Sequence, residues 1–224
     1  MASEASAPLT HVLVMGGCGF LGSHVVQALL AHPSRPIVSV ASRSPTRNLM
    51  KGAKYYVCDI SKQAGFKSLL ETLQPTTIIN AAAPLASHGS AASAATTIAG
   101  TRLSLACAAE SPTVKNYIYI SSCSIVTGMP FTLLTEEAAT LIDPESHHDP
   151  YSSAKVTADA MVISVNGAPG LRTAVLRPSG IVGERDVQII PSLLRALDQG
   201  VARLQLGDGK KKFDFVYAGN VADA

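Results

Sequence analysis

Six short apolar runs punctuate the chain: HVLVMG, PIVSVAS, KYYVCD, TTIINAAA, KNYIYISS and RTAVLRP. Between them lie FLGSHVVQALLAH, KQAGFKSLLETLQ, the Ala-rich SHGSAASAATTIAGTRLSLACAAE and the run after Pro150, each long enough to cross over a sheet and return. Strands that are apolar along their whole length must be covered on both faces, and helices between successive strands supply that cover. The predicted fold class is therefore α/β, a doubly wound parallel sheet. With 47% hydrophobic and 15% charged residues, the 224 residues can fill one large core, and no repeat or composition shift marks a second domain. The Ala-rich segment around 86 to 110 has too many helix formers and too few prolines for a linker, so a closely packed helix is expected there.

The expected organisation is a flexible N-terminus over 1–9 and a single dinucleotide-binding domain over 10–224. The N-terminus lacks a basic region followed by an apolar core, and no segment holds the ~18 apolar residues of a membrane span. A soluble, cytoplasmic protein is expected. A net charge of +2 leaves no basic stripe, and the Lys210 to Lys212 cluster sits in a short Gly-flanked loop, so nucleic acid is not an expected partner. Cys18, Cys58, Cys107 and Cys123 are scattered without CxxC or His at ligand spacing, which suggests reduced thiols and no metal site.

Met15 ends the first run and GGCGFLG follows, placing Gly16, Gly19 and Gly22 at the entry to a helix. Glycines there permit a tight turn, approach of the backbone to a pyrophosphate, and close packing of helix on strand, while the helix N-terminus offers oriented N–H groups. Strand, glycine loop and helix in that order are the context of a dinucleotide site, a Rossmann fold. A plain strand-to-helix turn is the bland alternative. After the second strand, where NAD enzymes carry an acidic residue for the adenosine ribose, stand Ala41, Ser42 and Arg43, with Arg47 close behind. A hydroxyl and guanidinium groups without a carboxylate favour NADP(H) over NAD(H), unless Arg43 only stacks on adenine. Asp59 is placed to touch adenine or, alternatively, to cap the next helix. Asn80, Ala81 and Ala82 are expected to line the cofactor beyond the phosphates.

In DPYSSAK, Tyr151 and Lys155 stand four apart at the start of a helix-forming run, one turn from each other on one face. Together with GGCGFLG, CDI, INAAAP, YISSCSIVTG and LRPSGIVG, in this order, the chain resembles the extended short-chain dehydrogenase/reductase family. SSCSIV, DPYSSAKVTAD and RPSGIVGERD most resemble its 3β-hydroxysteroid dehydrogenase and sterol-4α-carboxylate 3-dehydrogenase branch. The resemblance spans residues 11 to about 221. It implies that Ser122, Tyr151 and Lys155 are catalytic, with Ser122, Ser124 and Tyr151 touching substrate. It extends the cofactor contacts to Phe20, Leu21, Ile60, Tyr151, Lys155, Pro178, Gly180 and Ile181, with Arg177 and Ser179 beside them.

The chemistry that goes with this resemblance has a physical rationale. A phenol of pKa ~10 is a poor base at neutral pH, and a nearby ammonium favours its phenolate. Lys155 would supply that charge, Tyr151 would exchange a proton with the substrate oxygen, and Ser122 would orient it. Cys123 falls where a small packing residue is usual and has no partner that would make it a nucleophile. Arg177 is equally suited to a structural salt bridge, His147 and His148 to a solvated loop, and Glu136 and Glu137 to a helix start. Met129, Phe131, Leu133 and Leu134, in the loop before the tyrosine, suit either a hydrophobic substrate or packing on the core.

The expected activity is oxidation or reduction of a secondary alcohol or ketone on a steroid, terpenoid or other polycyclic skeleton, with coupled isomerisation in some branches. A nucleotide-sugar epimerase or dehydratase, a flavonol-type ketone reductase and a non-catalytic NADP(H) sensor are the alternatives, because fold alone does not set substrate. Family members are considerably longer, so the small C-terminal substrate part is expected to be largely missing from this chain. The resemblance further implies a homodimer built on the helices around 86 to 110 and 150 to 166, and allows peripheral association with an internal membrane. If residues 42 and 43 read a 2′-phosphate, Ser42→Asp will shift preference from NADPH toward NADH in paired dinucleotide titrations; an unchanged ratio would contradict that reading.

Overall fold

The computed structural model describes residues 10–83, 90–127, 134–145, 149–203, 205, 207–210 and 212–224. The N-terminal segment 1–9 lies outside the described residues, as do Met129, Phe131, Leu133, His147, His148 and Lys211. Six parallel strands form the central sheet: β1 (His11–Met15), β2 (Ile37–Ser42), β3 (Lys54–Val57), β4 (Thr77–Asn80), β5 (Asn116–Ile120) and β8 (Arg172–Leu176). Their order is β3-β2-β1-β4-β5-β8, the doubly wound arrangement expected from the apolar runs. After β3 the chain crosses through α2 (Gln63–Leu73) to the other side of β1. The carboxyl ends of β1 and β4 therefore face connections leaving in opposite directions, and the crevice between them is where such sheets bind ligands.

Strand alternation divides the core between the two faces. Val12, Val14, Val38 and Val40 pack with Val25, Val26 and Leu29 of α1 (Phe20–Ala31). Leu13, Met15, Ile78, Tyr117 and Tyr119 face the opposite way, onto Phe66 and Leu70 of α2, Leu105 of α3 (Ala91–Glu110), and Ala158 and Val162 of α4 (Pro150–Ser164). The Ala-rich segment is thus a packed helix, capped by Ser90, whose side chain accepts from the Ser93 N–H at 3.2 Å. Small side chains let α3 lie close against α4.

The remaining elements are short. β6 (Val126–Thr127) pairs antiparallel with β7 (Thr140–Leu141), and β9 (Gly180–Val182) pairs parallel with β10 (Phe215–Tyr217). Glu136 and Glu137 do not begin a helix: residues 136–138 form a single turn, and the chain then enters β7, whose pairing with β6 replaces helical continuation. α6 (Ala218–Asp223) packs back on α1. α5 (Ile189–Asp198) buries none of its residues and leaves Leu193, Leu194 and Leu197 more than half exposed.

Tyr117 carries a buried polar network within the larger core cluster. Its hydroxyl accepts from Asn80 Nδ2 at 2.9 Å and lies 2.8 Å from Ser104 Oγ, joining β4, β5 and α3. Burial pushes the phenol up to about 12, so it stays a neutral hydrogen-bonding group. Tyr117→Phe strands Asn80 Nδ2 in the core and is expected to cost about 1–3 kcal/mol in urea unfolding; an unchanged midpoint would contradict this role.

Candidate active site

The glycine loop is built on contacts that no side chain could share. Gly16 has φ +76, and a Cβ there would stand 2.8 Å from Ala82 Cα and 2.9 Å from Ala82 N. A Cβ on Gly22 would overlap the Gly16 carbonyl. The loop closes through Gly19 N–H donating to Gly16 O at 2.9 Å, and Gly19 then stands at the cap position of α1 with no side-chain hydrogen bond to the helix. The first helical N–H groups, on Phe20, Leu21 and Gly22, therefore remain free of intrahelical partners, as suits an anionic group. Phe20 stacks edge-on with His24, and Leu21 packs against the core around α1.

Long-range contacts hold this loop to its surroundings. Asn48 Nδ2 donates to Cys18 O at 3.0 Å, and the Cys18 thiol, pushed up by burial, is drawn partly back by nearby Ser42. Ser42 ends β2 and Arg43 is exposed just after it. Asp59 does not cap a helix, since Lys62 holds the cap position of α2; instead its Oδ1 accepts from Ser61 N and Oγ at 3.0 and 2.7 Å. Those bonds, with Arg43 and Lys62 nearby, hold its carboxyl below the usual range. Ile60 packs on the core beside Gly100. Asn80 is buried with its side chain turned to Tyr117, while the backbone of Ala81 and Ala82 is what lies against Gly16.

Tyr151, Lys155 and Ser122 come together where β5 meets α4. Asp149 caps α4, accepting from Tyr151 N at 3.2 Å and Ser152 N at 3.0 Å, and Pro150 takes the first helical position, where its missing N–H costs nothing. Tyr151 thus sits in the first turn and Lys155 one turn on. The Lys155 ammonium is buried, donates to Ile120 O at 2.7 Å, and stands 5.0 Å from the Tyr119 ring centroid and 5.9 Å from that of Tyr151. Burial lowers its pKa to about 8, opposed by the Asp159 carboxylate. The Tyr151 phenol is pushed up, chiefly by burial, and is drawn partly back by the nearby Ser122 hydroxyl.

Ser122 stands at the entry to a three-residue 3-10 turn, Cys123–Ile125, where its Oγ accepts from Ser124 N at 3.2 Å. Cys123 is exposed rather than a packing residue, because the turn directs it away from the core. Its thiol is pushed up by desolvation and by Asp214, so it is a poor thiolate. Arg177 takes the salt-bridge role, donating through Nε and Nη2 to the fully buried Asp159 at 2.9 and 2.8 Å. Pro178 O accepts from Cys123 N at 2.9 Å, which ties the chain after β8 to the serine turn. Gly180 is packed under the rings of Phe213 and Phe215, and Ile181 pairs with Val216.

Several contributors are not marked by their local sequence. Asn48, Tyr119, Asp159 and Ser152 act through partners distant in the chain or on another face. The Ser121 hydroxyl is buried with no partner among the described residues. His24 joins α1 to the C-terminal segment by bonding to Glu184 O at 2.9 Å. Among the described residues no cluster of metal-ligating side chains occurs, and no helix is long and apolar enough to cross a membrane.

Comparison with known proteins shows the family and the fold. Residues 12–224 match the model of the NAD dependent epimerase/dehydratase family. The chain is 32% identical to the decarboxylating sterol-4-alpha-carboxylate 3-dehydrogenase of Candida albicans, over 98% of this chain and 64% of that one. It is 28% identical to the 3 beta-hydroxysteroid dehydrogenase/Delta 5-->4-isomerase of Mycobacterium tuberculosis, over 98% of this chain and 60% of that one. The chain thus spans less than two thirds of the length of these relatives. UDP-glucose 4-epimerase of Thermus thermophilus, in complex with NAD, has the same fold: TM-score 0.78 at 23% identity, covering 96% of this chain and 72% of that one.

The buried ammonium sets a pH-dependent prediction. A folded pKa of about 8 lies below the ordinary 10.5, so the unfolded chain binds more protons between those values and stability rises with pH across that window. Below pH 8 the penalty for burying the charge is fully present. Lys155→Met is therefore expected to be more stable than the parent at pH 7 by roughly 1–3 kcal/mol, with the gap closing above pH ~10. Urea midpoints at both pH values check this, and a less stable variant at pH 7 would contradict it.

Proposed function

The chain belongs to the NAD dependent epimerase/dehydratase family, and from that premise we propose an NAD(P)-dependent oxidoreductase that interconverts a secondary alcohol and a ketone on a hydrophobic, sterol-type skeleton. The observation that carries this reading is the Lys155 ammonium buried one turn along α4 from Tyr151, 5.9 Å from its ring centroid, with the Ser122 hydroxyl close enough to the phenol to draw its pKa back down. Two hydroxyls meet there, one able to exchange a proton and the other to orient the same oxygen. The glycine cradle and the uncapped start of α1 fit a dinucleotide pyrophosphate.

A bound nicotinamide supplies the hydride acceptor or donor. Everything else falls to this chain's own side chains. In the alcohol-to-ketone direction Tyr151 Oη receives the hydroxyl proton as the carbinol hydrogen leaves as hydride; in reverse it returns that proton to the carbonyl oxygen. With its phenol pushed up by burial, Tyr151 is protonated at neutral pH and poised as the donor for ketone reduction. Lys155 supplies the positive charge that favours phenolate when the reaction runs toward ketone.

NADP(H) is the preferred dinucleotide in this reading, on the strength of Ser42 and Arg43 and the lack of an acidic residue at the end of β2. A sterol-type substrate is supported by both named relatives and by the uncovered apolar side chains of α5 and Phe213. The protein acts in the cytoplasm as a homodimer through the outer faces of α3 and α4, where Ile163 is exposed. Coupled with either dinucleotide, purified protein is expected to turn over a 3β-hydroxysteroid or its ketone and to leave UDP-glucose unchanged. Tyr151→Phe should then lower kcat by about 10²–10⁴ while dinucleotide affinity is retained. Epimerisation of UDP-glucose, or full activity of the Tyr151 variant, would overturn the proposal.

A further inference from the structure

We propose that Ser152 is a positioning residue: its buried hydroxyl ties the turn carrying Ser122 and Ser124 to the Asp149 carboxylate, fixing both serines relative to Tyr151. This rests on the reading of Ser122 and Tyr151 as the reacting pair. Ser152 is only 3% exposed, and its Oγ lies 2.6 Å from Asp149 Oδ2 and 3.1 Å from Ser124 Oγ. Neither bond is needed to cap α4, because Asp149 already accepts from the backbone N–H groups of Tyr151 and Ser152. The hydroxyl adds a link outward, from the first turn of α4 to the 3-10 turn after β5.

That 3-10 turn needs such a link. It is three residues long, and of its two closing bonds, Val126 N to Cys123 O and Ile125 N to Ser122 O, the one that involves Ser122 is stretched to 3.4 Å. A bond of that length holds weakly, and so short a turn has few others. Ser122 Oγ accepts from Ser124 N, so a shift of Ser124 is transmitted directly to the acceptor side of Ser122. On the far side the turn hangs from Pro178 O through Cys123 N at 2.9 Å. Ser152 and Pro178 therefore hold the turn from two different elements. A misplacement of about 1 Å at a reacting group is enough to lose a large part of its rate.

Cys123, exposed in the same turn, reports on it without any need for turnover. In the full chain, the rate of Cys123 alkylation by iodoacetamide is followed by peptide mass spectrometry, with buried Cys58 and Cys107 as internal references. Ser152→Ala is expected to raise the Cys123 rate about fivefold, the factor that one lost hydrogen bond corresponds to. Ser152→Thr, which keeps the hydroxyl, restores the parent rate. Ser124→Ala cuts the same link from the other end, so it gives the same increase even where Ser152→Ala folds poorly, and the double variant goes no further. With a steroid substrate, Ser152→Ala lowers kcat about tenfold at unchanged dinucleotide Kd, again without adding to Ser124→Ala. A Cys123 rate that stays at the parent value in Ser124→Ala and in folded Ser152→Ala overturns the tether. Lack of steroid turnover by the parent, with the labelling pattern intact, counts against the proposed activity alone.

Discussion

The arrangement turns on one ammonium group kept out of water. Lys155 is 3% exposed, and the interior answers its charge with the Ile120 carbonyl at 2.7 Å, the face of Tyr119 and the Asp159 carboxylate one turn further along α4. Asp159 is in turn neutralised by the paired bonds from Arg177, which leaves the sheet at the end of β8. One buried charge thus couples α4, β5 and the segment after β8. Breaking a buried ion pair leaves an uncompensated charge, so each member holds the others in place. An apolar residue at 155 would be cheaper to bury. A lysine there, with its pKa drawn toward neutrality beside a phenol, is what the proposed proton exchange at Tyr151 calls for.

The second constraint is steric. Gly16, Gly22 and the backbone at Ala82 approach so closely that three segments share one small volume at the carboxyl edge of β1 and β4. Parallel pairing of β1 with β2 and β4 brings those ends level, with Met15 opposite both Ala41 and Asn80. The glycine loop and the serine turn, carried by strands of one parallel sheet, therefore open on the same edge of it. A dinucleotide laid across that edge is the simplest ligand that could engage both. Asn80, buried against Tyr117, anchors the end of β4 that supports this approach.

Features set by local chemistry are legible in the sequence. GGCGFLG is legible because close backbone approach admits no side chain, DPYSSAK because Asp and Pro place the following residues in a helical first turn, and the sheet because continuous apolar runs require two covered faces. The role of Arg177 is not, since its partner Asp159 lies on a different element. Glu136 and Glu137 resemble a helix start, but pairing of β7 with β6 outweighs a local preference of a few tenths of a kcal/mol. Asn48 on the glycine loop and Ser152 on the serine turn are illegible because each acts on a segment tens of residues away. Cys123 looks like filler by its neighbours and is exposed because the turn directs it outward.

In the proposed reaction, Tyr151 and Ser122 hold one substrate oxygen between them. A crystal structure of the protein with NADP(H) and a steroid ketone tests it most directly. The ketone oxygen is expected within about 3 Å of both hydroxyls. A well-ordered ketone whose oxygen lies away from both would contradict it.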